Sequence, residues 1–187
     1  MKKSVKIITI GVFAVLCLSF IAKKGQLFPT METTSIDDKT ITLPASTKGK
    51  YTLIGLAYSQ KAEQSLNTWY QPLYMQLLHK PEKPGLFDTD PYDINLYFVP
   101  MFSGLNQAAA GTFKKKIKAE VDKKWQDRIL IFKGKVKPYA ATLGLKDKNS
   151  AYMYLLDDNG KIVYETSGDY TEAKIVEIEN ILDAVGE

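Results

Sequence analysis

Apolar positions along the chain change period several times, and each change marks an element. Residues 25–38 are mostly polar and contain Pro29, which predicts a lead-in linker before the first strand. Thr40–Leu43 alternates as a short strand does, and Tyr51–Tyr58 (YTLIGLAY) is almost wholly apolar, the pattern of a strand buried on both faces. Ala62, Leu66, Trp69, Leu73 and Leu77 then recur at helical spacing, with Ser59 placed to cap the helix and Pro72 expected to kink it. Three prolines and a glycine in residues 79–93 predict a long loop, followed by a strand over Asp93–Val99. From Leu105 to Trp125, Ala109, Phe113, Ile117 and Val121 form an apolar stripe on a helix otherwise rich in lysine. Arg128–Phe132 reads as a strand and Val136–Leu143 as a short helix. Tyr152–Leu156 and Lys161–Glu165 flank the turn DDNG and predict a hairpin, with Asn-Gly supplying positive backbone angles. Asp169 and Glu172 have capping-box spacing ahead of a last helix carrying Ile175, Ile178, Leu182 and Val185.

At 187 residues and 45% hydrophobic content, these elements suffice for one globular unit with a real core. The formal charge of +4 is misleading, because five lysines and no acid lie in the first 24 residues. Without those five the body has 20 basic against 21 acidic groups, so its overall charge gives no reason to expect nucleic acid as a partner. Arg128 is the sole arginine, so paired guanidinium clamps on phosphate are lacking.

The run Ile7–Ala22 carries no charge and is bracketed by lysines. As a helix it spans about 24 Å, short of a bilayer core of roughly 30 Å, but flanking lysines snorkel to headgroups. An uncleaved anchor over residues 7–22 is expected, with the domain on the extracytoplasmic side; the alternative is a cleaved signal and a secreted product. The organisation expected is a signal or anchor segment over 1–24, a linker over 25–38 and a domain over 39–187. Cys17, the only cysteine, lies inside the run, so the exported part has no thiol for dithiol exchange, peroxidase chemistry or thiolate metal binding.

The element order, strand–helix–strand–helix–strand followed by a hairpin and a helix, resembles the thioredoxin-like fold of membrane-anchored thiol reductases and peroxiredoxins: an α/β protein with a central mixed sheet flanked by helices. Where those relatives carry a WCxxC box at a helix start, the matching stretch is Ala57-Tyr58-Ser59-Gln60-Lys61-Ala62, so Ser59 and Ala62 stand at the cysteine positions. Where they carry a cis-proline before the hairpin, this chain has Ser150-Ala151. A second resemblance is carried by Ala151–Asp157 (AYMYLLD), Asn159–Ile162 and Ser167-Gly168, which are similar to the mitochondrial ATP synthase assembly factor 10 family. That resemblance implies a protein that assists assembly of a membrane-embedded subunit.

The groove implied by the first resemblance comprises Tyr58, Ser59, Gln60, Lys61, Ala62, Ser150 and Ala151, a candidate seat for an extended peptide. Ser59 has no base in prospect, and its plainer role is a helix cap. Lys114, Lys115 and Lys118 form a second candidate face, for anionic lipid or charge steering; a solvated helix face is the plainer reading. His79 stands alone and Asp88, Asp90 and Asp93 lack an EF-hand frame, so no metal or other cofactor is expected. Three functions fit: a redox-inactive binding or assembly protein acting on a membrane or envelope protein, a structural subunit of a membrane complex, and an enzyme of non-thiol chemistry on the same scaffold.

Overall fold

The computed structural model describes residues 24–80 and 90–186; the apolar run 7–22 and most of the proline-rich loop lie outside them. Strand β3 (Thr52–Ala57) is buried along its whole length, because it is central in a seven-stranded sheet of order β2 (Thr40–Leu43), β1 (Met31–Ser35), β5 (Leu130–Lys133), β4 (Asn95–Phe102), β3, β6 (Tyr152–Leu156) and β7 (Ile162–Ser167). Its neighbours are β4, parallel to it, and β6, antiparallel. β5 runs parallel to β4, and β7 closes one side antiparallel to β6. The two faces of β3 alternate between separate cores. Leu53 and Ala57 pack with helix α1 (Gln60–Leu73) and the last helix, whereas Ile54 and Leu56 pack with the helix that precedes β6.

Residues 25–38 are not a linker. They supply β1 (Met31–Ser35), paired antiparallel with β2 (Thr40–Leu43) and with β5, and Phe28, Met31 and Ile36 are buried. METTS has one large apolar side chain, and its burial is completed by pairing: the Thr33 hydroxyl donates to the Ile41 carbonyl at 2.7 Å.

α1 continues through Pro72 and widens after Leu73 into a π turn over Tyr74–Leu78, where the His79 amide donates to the Tyr74 carbonyl at 2.8 Å. Proline withholds one helical donor, and a wider turn accommodates the loss. The lysine-rich stretch is a 3-10 turn at Gly104–Ala108, then α2 (Ala109–Glu120) and a short α3 (Lys123–Gln126). The break falls at Val121, which adopts extended angles (φ −113°, ψ 136°) and packs on the cluster of Ile36, Phe102 and Ile129. Phe113, Ile117 and Val121 pack on that cluster as the spacing predicts, and only the first position of the stripe differs, Ala110 being buried and Ala109 exposed.

After α4 (Val136–Leu143) the β6–β7 turn has Gly160 at φ +83°, while Asn159 is not at positive φ. The Asp157 carboxylate accepts the Asn159 and Lys161 amides at 3.0 and 2.7 Å, so an Asx cap and one left-handed glycine make the turn. α5 spans Glu172–Gly186, three residues later than Asp169, so the expected capping box is absent. Gly168 (φ +84°) turns the chain there, and α1 holds the connection through a Trp69 indole bond to the Gly168 carbonyl. Ile175, Ile178 and Leu182 are buried as the spacing predicts, and Val185 is exposed.

Candidate functional site

β3 ends at Ala57, the chain turns through Tyr58 and Ser59, and α1 begins at Gln60. Ser59 is extended (φ −150°, ψ 162°), and its Oγ accepts the Ala62 amide at 3.1 Å. The same hydroxyl donates to the Lys148 carbonyl at 2.6 Å. A serine positioned as a nucleophile needs a base to take its proton; this proton is already given to a backbone carbonyl. The hydroxyl therefore joins the helix start to the loop ahead of β6.

That loop is held by three further hydroxyls. Tyr58 donates to the Leu145 carbonyl (3.1 Å), Tyr154 to the Leu143 carbonyl (2.8 Å) and Tyr152 to the Asp147 carbonyl (3.1 Å) while accepting the Asp147 amide (2.6 Å). Burial raises the Tyr58 hydroxyl above the usual phenol value and the Tyr154 hydroxyl well above it, so both remain protonated donors. Asp147 accepts the Asn149 amide at 2.9 Å and the Ser150 hydroxyl at 2.8 Å, and these bonds hold its carboxyl below the ordinary carboxylate range.

The seven residues of the expected groove thus separate. Tyr58 and Ser59 are bonded to the 145–148 backbone, and Ser150 is bonded to Asp147. Gln60 and Lys61 are exposed on the first turn of α1. Ala62 and Ala151 are fully buried in the core beneath α1 and α5, so Ala151 is not at an accessible loop margin. Small size at 62 and 151 lets the helix and β6 approach.

Sequence reasoning missed the tyrosine-to-carbonyl set, because a backbone acceptor has no residue signature. It also missed an open depression of about 760 Å³ beside that set, bordered by Ala141, Lys146, Tyr152, Tyr154, Glu165 and Ser167.

The basic helix is engaged within the chain. Lys114 pairs with Asp38, and Lys118 and Lys123 lie 3.7 and 3.0 Å from Asp37, so two of the three candidate lysines hold the β1–β2 turn. Hydrogen bonds and charge from Lys123 and Lys114 lower the carboxyl pKa values of Asp37 and Asp38 respectively. Lys115 is exposed. The described residues contain no cluster of three or more metal-ligating side chains.

A parallel βαβαβ core closed by an antiparallel hairpin, with a helix start facing the loop before that hairpin, defines a thioredoxin-like protein. The solved structures similar to this chain agree. The exposed lipoprotein thioredoxin Etrx1 of Streptococcus pneumoniae superposes with a TM-score of 0.52 at 17% identity, over 82% of this chain and all of that one. BsSco, of the Sco family of cytochrome c oxidase assembly proteins, gives 0.54 at 12% identity over 84% and 94%. The 2-Cys peroxiredoxin of Plasmodium vivax gives 0.51 at 14% over 88% and 97%. These likenesses define the fold. The chain belongs to the ATP10 protein family, whose sequence profile matches residues 13–185. Among curated proteins, none matches the chain significantly.

Ser59→Ala should cost about 1 kcal/mol, the usual worth of a helix cap, read as a lower midpoint in urea. A partner-capture defect at unchanged stability would instead give the hydroxyl a direct binding role.

Proposed function

We propose that this chain is a membrane-tethered, redox-inactive assembly factor that holds a membrane or envelope protein partner without thiol chemistry. The carrying observation is the state of the helix start: Ser59 and Ala62 occupy the dithiol positions, the Ser59 hydroxyl is committed to Lys148 and Ala62, and the sole cysteine is Cys17 in the apolar run. Membership of the ATP10 protein family supports an assembly role, and the Sco likeness is to a member of a family of cytochrome c oxidase assembly proteins. Residues 7–22 supply the tether, with the folded domain on the extracytoplasmic side.

Full-length protein extracted from membranes in mild detergent should recover a substoichiometric protein partner and should neither reduce insulin disulfides nor consume peroxide with thiols. A permanent one-to-one partner would make it a structural subunit, and thiol-dependent turnover would overturn the redox-inactive assignment.

A further inference from the structure

The first described residues are pinned to the sheet. The Gly25 amide donates to the Ile162 carbonyl at 2.7 Å, the Ile162 amide to the Gln26 carbonyl at 2.8 Å, and the Phe28 amide to the Gly160 carbonyl at 3.0 Å. Leu27 and Lys161 face each other in an isolated antiparallel bridge, so residues 25–28 lie along the outer side of the start of β7. Phe28 is 2% exposed and meets Tyr154 edge to face at 5.8 Å, which pins this segment to the core. The apolar run ends at Ala22. Only Lys23 and Lys24 separate it from the first pinned amide, and three Cα steps reach at most about 11 Å.

Leu27 is 58% exposed at that corner, with its neighbours Lys24 and Lys161 also exposed. The Gly49 amide bonds the Asp158 carbonyl at 2.7 Å and brings Lys48 to the same end of the sheet. The acids at that end are Asp157, whose carboxylate caps its own turn, Asp158, which accepts the Asn159 side chain at 2.6 Å, and Asp93, which is paired with Lys50 before β3. An exposed leucine among lysines suits the headgroup layer, where an apolar side chain enters the acyl boundary and ammonium groups meet lipid phosphate.

We propose that the corner formed by residues 24–27 and 158–162 rests on the lipid surface, with Leu27 inserted, so that the domain has one fixed orientation. This rests on the tethered reading of residues 7–22. Thr52 pairs with Leu156, which pairs with Ile162, so Ile162 lies level with the beginning of β3. The helix start lies beyond the other end of that strand, five residues or roughly 17 Å away. Tyr58, Ser59 and the 143–148 loop therefore face away from the membrane, and a partner reaching them does so through its extramembranous part.

The test uses full-length protein carrying Cys17→Ser, with Leu27→Cys, Lys161→Cys or, at the far end, Leu105→Cys (98% exposed) labelled with an environment-sensitive fluorophore. Each is reconstituted into phosphatidylcholine–phosphatidylglycerol vesicles containing headgroup-nitroxide lipid. Labels at 27 and 161 should be quenched at least about threefold more than at 105, as expected for groups within an interfacial layer. An eight-residue Gly-Ser insert between Lys24 and Gly25 should reduce that contrast without changing the melting temperature. Equal quenching at all three sites, with the protein still in the carbonate-washed membrane fraction, overturns the orientation and leaves the tether intact. Loss of the protein from that fraction overturns the tether, and the orientation with it.

Discussion

Trp69→Ala should lower the unfolding free energy by about 3–5 kcal/mol, the cost of deleting a large buried aromatic side chain. Trp69 is fully buried at the centre of α1, among Leu66 and Leu73 on its own helix and Met153 and Ile178 across the core. Its ring meets Tyr170 edge to face at 5.7 Å, and its indole nitrogen donates to the Gly168 carbonyl at 2.9 Å. The Tyr170 amide in turn donates to the Thr68 hydroxyl at 2.9 Å. Removing the indole leaves a cavity and an unpaired carbonyl, and it frees the turn that aims α5 at the sheet. Trp125, which stacks on Tyr70 at 5.6 Å, remains as the fluorescence reporter for urea unfolding. Trp69→Phe should recover part of the loss by refilling space without the donor. A change below about 1 kcal/mol for Trp69→Ala would mean the site collapses without penalty, contrary to this account.

Ala151→Arg should abolish folding. Ser150-Ala151 stands where dithiol relatives carry a cis-proline, but Ala151 is fully buried against the layer that holds Ala57, Ala62 and Met153. Its carbonyl also accepts the Gly168 amide at 2.9 Å, so the backbone cannot swing outward without loss. Burying an unpaired guanidinium costs several kcal/mol beyond the overpacking, comparable to the whole stability of a domain this size. The expected result is protein found only in inclusion bodies or without a cooperative thermal transition. A soluble, cooperatively melting Ala151→Arg protein would show that the loop ahead of β6 opens readily, and the groove would return as a binding site. Ala151→Ser, nearly the same size, is the control that should fold.

The parts of the fold legible in the sequence are those where a period or a turn residue carries the signal. YTLIGLAY announced the central strand, and the spacing of Leu66, Trp69 and Leu73 announced the helix face. Asp157 to Gly160 announced the hairpin, although the glycine alone takes the left-handed angle. β1 was illegible because four of its five residues are polar, and its place depends on partners distant in sequence, β2 and β5. At the site, the identity of the cap was readable from Ser59, but its second bond was not. Backbone carbonyls at 143, 145, 147 and 148 accept from four hydroxyls, and any residue type supplies such an acceptor. The lysine helix was read as a free surface for a comparable reason: Asp37 and Asp38 lie about eighty residues earlier, and only the folded chain brings them opposite Lys118 and Lys114.

The pairing of residues 25–28 with β7 also bears on self-association. An open sheet has two outer edges, and bare edge backbone recruits strands from other molecules. Near the β6–β7 turn that edge is occupied by the chain's own residues 25–28, and Phe28 covers Tyr154 beneath it. A fragment begun after Phe28 would lose both covers together, baring the Gly160 carbonyl and both backbone groups of Ile162 beside an uncovered aromatic face. Residues 25–28 therefore serve as a built-in guard against intermolecular strand addition, and a fragment that lacks them is expected to self-associate more readily.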